Sequence, residues 1–227
     1  SITTSLIPVP WDKVKVNVNI TPVTTTDPEV ININYDSVLS LSIDGMDDNR
    51  YILPKVKVEI SGRSMSEPIS DVLIDSMIDQ VYPKAPFAES KFKVRAVLPE
   101  RTFLEKLFLL HEEFTKPKDL IRVERMSRHL YDIGQMLKTP IAERAVNDAD
   151  LYNQVVEHRR TFIGLRGFDY DTLHPATLHI VPPSSVIEQW KTDYENMRLH
   201  MIYGESVPFE KLIEELASLN AAINKLR

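Results

Sequence analysis

Arg125, Arg128, His129 and Asp132 stand within eight residues of one another in the stretch RMSRHLYDIGQM, residues 125–136. Two guanidiniums, an imidazole and a carboxylate at that spacing offer two kinds of chemistry. Guanidinium forks meet phosphate oxygens in two-point contact, so the stretch could receive a triphosphate. The alternative is a solvated helix face on which Arg128 and Asp132 form an i,i+4 pair worth only about 0.3–0.5 kcal/mol. Lys116, Lys118 and Arg122 precede the stretch. Between Lys116 and Arg128 these five basic residues oppose only Asp119 and Glu124, a local excess of three in a chain of net charge −6.

Other residues with chemical potential are scattered. Glu59, in KVKVEIS, reads as a strand carboxylate on the polar face beside Lys57. It could hold Mg²⁺ with other carboxylates, or form a cross-strand Lys–Glu pair on a wet sheet face. Lys106 flanks the apolar face of a helical stretch and Glu105 lies outside it, while His111 projects near the middle and reads as a core histidine. Asp169, Asp171, His174 and His179 in FDYDTLHPATLH include potential metal ligands, which keeps a metal-dependent hydrolase among the readings. That segment follows a glycine stop and contains Pro175, so it reads as a loop. Asp148 and Asp150 read as N-terminal helix caps.

Composition narrows the field. The 227 residues contain no cysteine, which excludes disulfides, thiolate zinc sites and cysteine nucleophiles and fits a reducing cytoplasm. The six glycines form neither GxGxxG nor a Walker loop; Gly164 and Gly167 make a lone GxxG better read as a helix stop. The acidic balance argues against general DNA binding and against an anionic membrane surface. No apolar run approaches the roughly 20 residues that cross a bilayer. The first residues lack the basic and apolar regions of a signal peptide.

The elements that must position these groups follow from hydrophobic period. KVKVNVNI, VININY, VLSLSID, KVKVEIS and FKVRAVL alternate or cluster as strands, with a helix near Ile69 to Val81. From Pro99 the period becomes helical. Phe103, Leu107, Leu110 and Phe114 mark one stripe, and Val123, Met126, Leu130, Ile133 and Leu137 mark the next. On that second helix Arg125, Arg128, His129 and Asp132 fall on the face turned away from the stripe. DADLYNQVVEHRRTFIG, the stretch from Pro183 to Tyr203, and Phe209 onward read as further helices. The layout is α+β: a strand-rich part over residues 1–98 and a helical domain over 99–227.

The segments KVKVEISGRSMSEP (55–68), VLPERTFLEKLFLLHEEF (97–114) and RMSRHLYDIGQML (125–137), followed by LYNQVVEHRRTF and MIYGES, together resemble the AbiEii/AbiGii toxin family of nucleotidyltransferases. The resemblance covers most of the chain from about Tyr35. It implies a partial polymerase-β-like sheet followed by an all-helical C-terminal domain. It further implies a bacterial, cytoplasmic enzyme that transfers a nucleotide from an NTP with Mg²⁺, acts in phage defence and has a cognate antitoxin. A tRNA is one acceptor in view. By the same resemblance Glu59, Lys106 and Asp132 have catalytic roles, Lys106, Arg125 and Arg128 bind the nucleotide, and Glu59 serves the metal. Two departures stand out: His129 follows the arginine where many members have aspartate, and the family's Gly-Ser turn with its paired aspartates is absent. The expectation is therefore the C-terminal part of a longer enzyme, inactive as a fragment. The competing expectation is a non-enzymatic partner-binding module.

Overall fold

The structure, a computed structural model, describes residues 16–20, 29–35, 55–62 and 68–226. The strand expected at VLSLSID falls outside them. The chain divides into two compact units, Ser1–Ser64 with Asn196–Gly204, and Met65–Glu195 with Glu205–Arg227.

The first unit contains an antiparallel sheet of three strands in sequence order, β1 (Val16–Ile20), β2 (Glu29–Tyr35) and β3 (Lys55–Ile60). Its register follows the alternation in the sequence. In the register Val18 is opposite Ile33 and Ile33 opposite Val56, and Ile20 is opposite Ile31 and Ile31 opposite Val58.

The second unit opens with an antiparallel pair, β4 (Ile69–Ile74) and β5 (Phe92–Val97). The sequence suggested a helix from Ile69 to Val81; only its end is helical, as α1 (Met77–Val81), capped by Ser76. Ile69, Val72 and Ile74 favour extended backbone, and β5 supplies a hydrogen-bonded partner that overrides the helical reading.

Six further helices make the rest. Pro99 sits in the first turn of α2 (Pro99–Phe114), where its missing N–H costs nothing. Leu104 and Phe108 are as fully buried as Phe103, Leu107 and Leu110, so α2 is the central helix and not a one-sided one. It packs on α3 (Ser127–Met136), α4 (Ile141–Asn147) and α5 (Ala149–His158). The short α4 was not foreseen. Asp148 caps α5 by accepting the Leu151 N–H at 2.9 Å, as its type and place suggested. A π-helical turn, Arg159–Ile163, carries α5 to a left-handed stop at Gly164, φ 53°.

Two short 3₁₀ turns, Tyr170–Leu173 and Pro175–Thr177, form the proline- and histidine-containing loop. Then come α6 (Ile187–His200) and α7 (Phe209–Ile223). Leu130, Ile133, Leu173, Leu178, Ile180, Trp190, Tyr194 and Leu216 join α2 in one apolar core. Helices α3 and α7 approach so closely at Gly134 that a Cβ there would lie 2.5 Å from Leu212 Cδ1. No described helix is long and apolar enough to cross a membrane.

Candidate anion-binding face of helices α2 and α3

Helix α2 carries Lys106 and helix α3 carries Asp132, and the packing of the two helices joins them: Lys106 Nζ donates to Asp132 Oδ2 at 2.7 Å. Their side chains are 19 % and 41 % exposed, so the pair sits at the edge of the core and not in open water. This contact replaces the local pair that spacing suggested. Asp132 takes Lys106, 26 positions away, and Arg128 is exposed with no ion pair among the described residues.

His129 is the second departure. The helical wheel put it outward, yet its imidazole is largely covered and its Nδ1 is buried without a hydrogen-bond partner. Burial first, then the cationic Lys106 and Arg128, push its pKa down to about 4 against a partial opposing pull from Asp132. At neutral pH the ring is uncharged. It therefore adds no positive charge to this face.

Arg125 is the third. It precedes α3 instead of riding on it, in a left-handed turn with φ 59°, because the helix begins only at Ser127. Lys116 and Arg122 are also less available than counting suggested. Both converge on Glu113, which is 1 % exposed: Lys116 Nζ donates at 2.9 Å, Arg122 Nε at 2.8 Å and the Arg122 backbone N–H at 2.7 Å. Burial alone would raise the Glu113 carboxyl, but these hydrogen bonds, chiefly from Arg122, hold it below the usual range. The charge excess read from the sequence is thus partly absorbed by an acid lying outside the window that was counted. Glu113 gave no signal of its own, since an apolar stripe says nothing of a buried carboxylate beside it.

Glu59 lies on β3 opposite Val30, in an ion pair with Lys57 on its own strand instead of a cross-strand one. Among the described residues no three His, Asp or Glu groups have metal-holding geometry. Glu59 is already neutralised by one lysine and Asp132 by another. That donor set does not fit a divalent pair, which wants several anionic oxygens free of cations.

The aspartate–histidine loop is occupied by local bonds. Asp169 caps a 3₁₀ turn, Asp171 pairs with Arg160 at 2.8 Å, and His174 Nδ1 accepts from the Ala176 N–H. His111 is a core histidine as expected. The His179 backbone N–H donates to its Nδ1 at 2.9 Å, so its Nε2 bears hydrogen and donates to Thr172 Oγ1 at 3.0 Å. Burial, and then His179, lower its pKa to about 4.

Fold and face together define an α+β protein whose helical part presents a lysine, anchored by a carboxylate, beside an uncommitted arginine. The arrangement suits a polyanion such as a polyphosphate. Residues 8–215 match the family model described as nucleotidyl transferase AbiEii toxin, type IV TA system, and the chain belongs to that family. It is thus a nucleotidyltransferase-type toxin of a toxin–antitoxin class. Neither a curated protein nor a solved structure gave a significant match.

Proposed function

We propose that this chain supplies the triphosphate-binding face of an AbiEii-type nucleotidyltransferase. In this reading residues 1–98 are the strand-rich part of a polymerase-β-like domain and 99–227 a helical domain. Lys106, Arg128 and Arg125 receive the phosphates of an NTP, whose own Mg²⁺ arrives with it as part of the substrate. Asp132 holds the Lys106 ammonium in place, and Glu59 is the sheet-borne acid. The acceptor class includes tRNA, and a cognate antitoxin protein would restrain the activity.

The observation that carries this reading is the Lys106–Asp132 bond. An ammonium fixed by one carboxylate keeps two of its three N–H donors for other acceptors, at a water-poor edge where such bonds are stronger than in bulk solvent. Preorganised cations of this kind need no rearrangement when phosphate charge arrives. The neutral His129 adds no charge to the cations that act on it.

Titration calorimetry of the full chain with Mg²⁺–ATP and Mg²⁺–GTP tests it. Lys106→Met and Arg128→Ala should each weaken binding about tenfold, the usual scale of a lost charge-assisted hydrogen bond. Affinity unchanged in both variants would remove the site.

A partner-binding module is the second reading, favoured by apolar exposure around β4, α1 and β5. Leu73, Met77, Ile78, Val81, Phe87 and Phe92 are all exposed there, Met77 at 83 %. Failure of nucleotide binding, together with retained antitoxin binding, would favour it.

A further inference from the structure

Helix α3 starts without a cap of its own. Met126, the residue before it, is buried and offers no side-chain hydrogen bond to the first turn. The N–H of Ser127, the first helical residue, is satisfied instead by a residue 66 positions further along the chain. Asp193, on α6, accepts the Arg125 backbone N–H on Oδ1 at 2.7 Å. Its Oδ2 accepts the Ser127 N–H at 2.9 Å and the Ser127 hydroxyl at 2.5 Å. Ser127 is completely buried, so its hydroxyl has no water to turn to.

At the first of these two anchored residues the backbone is unusual. Arg125 is the one non-glycine residue with positive φ among those described, a conformation that a Cβ disfavours. Such a turn persists only where its surroundings over-determine it, and three hydrogen bonds to one carboxylate do so. A relaxed turn would let α3 begin elsewhere. Arg128 is the second residue of the helix and Asp132 lies one turn on, so the start of α3 sets where both stand.

We propose that Asp193 is a positioning residue for triphosphate binding. It pins the strained Arg125–Ser127 turn and thereby fixes the register in which α3 offers Arg128 and brings Asp132 to Lys106. This rests on the triphosphate-site reading given above. Asp193 touches no phosphate; it acts through the helix start.

The test uses the full chain, inorganic tripolyphosphate as the probe and calorimetric affinity as the readout, with urea unfolding measured alongside. Asp193→Ala should weaken tripolyphosphate binding about tenfold, a loss comparable to that of Arg128→Ala. The near-isosteric Asp193→Asn keeps one acceptor oxygen and should show a smaller loss. The double variant Asp193→Ala, Arg128→Ala should lose less than the sum of the two single losses, because part of the first change acts through the second residue. A carboxylate that merely stabilises the fold would lower the urea midpoint and leave affinity below that midpoint untouched. Wild-type affinity in folded Asp193→Asn, or losses that add fully in the double variant, would overturn the inference. Wild-type affinity in Arg128→Ala would instead overturn the site itself, so the two failures are told apart.

Discussion

Two of the long-range ion pairs made by helix α2 do different work. Towards its C-terminal end Glu112 meets Arg159 through a two-point contact, Nε to Oε1 at 2.7 Å and Nη2 to Oε2, with side chains 6 % and 10 % exposed. Two turns earlier Lys106 meets Asp132 through a single contact at the core's edge. In the first pair both oxygens and the fork are matched, and little donor capacity remains. In the second, a three-donor cation spends one bond on its partner. Buried charges must be fully paired to be tolerated, whereas a half-exposed pair can keep capacity for a ligand. Matched and sealed reads as architecture. Anchored and open reads as a site.

The largest effect should come from unmatching the sealed pair. Arg159→Met leaves Glu112 charged and buried, and urea unfolding should show a loss of about 3–5 kcal/mol. A loss under about 1 kcal/mol would mean that water reaches Glu112 and that the two pairs do not differ in kind. Next is the packing of α3, which carries Asp132, against α7. Gly134→Ala pushes a methyl group against Leu212, and overpacking of this sort costs about 1–3 kcal/mol. If Lys106 and Asp132 depend on that helix spacing, nucleotide affinity should fall in the same variant.

A third measurement concerns pH. His111 in the folded chain titrates at about 4 against an ordinary 6.5. As pH falls from 6.5 towards 4, the unfolded chain takes up a proton that the folded chain refuses, so stability should drop across that window and be flat above it. His129 is shifted in the same direction and adds to the slope. The urea midpoint at pH 5 should therefore lie below that at pH 7, and His111→Gln should reduce the difference without abolishing it.

The smallest effect on stability should be at the open pair. Lys106→Met should change unfolding free energy by no more than about 1 kcal/mol, in contrast with Arg159→Met. Its signature lies elsewhere. With the neighbouring ammonium removed and Asp132 released, the His129 resonance should titrate at a higher pH than in wild type. An unmoved His129 would show that Lys106 plays no part in holding it neutral.

What could be read in advance differs from region to region. The helices α2, α5, α6 and α7 and the strands β3 and β5 follow from the spacing of apolar residues, which alone dictates which face can leave water. The β4 segment misled because Ile, Val and Leu at close spacing suit a strand or a helix, and only β5 decides between them. Arg125 misled because 3-4-3-4 spacing through Val123 and Met126 extends the helical pattern past the true helix start. The start is fixed by Asp193, and no local rule reports a cap supplied from α6.

The chain's own order thus determined the elements, the family, and the residue types available for binding anions. Folding decided the pairings: Asp132 with Lys106 and not Arg128, Glu113 with Arg122 and Lys116, Glu112 with Arg159. The physical reason is range. Periodicity acts within a few residues, whereas a charge at a core edge takes whichever opposite charge packing brings within about 3 Å, however distant along the chain.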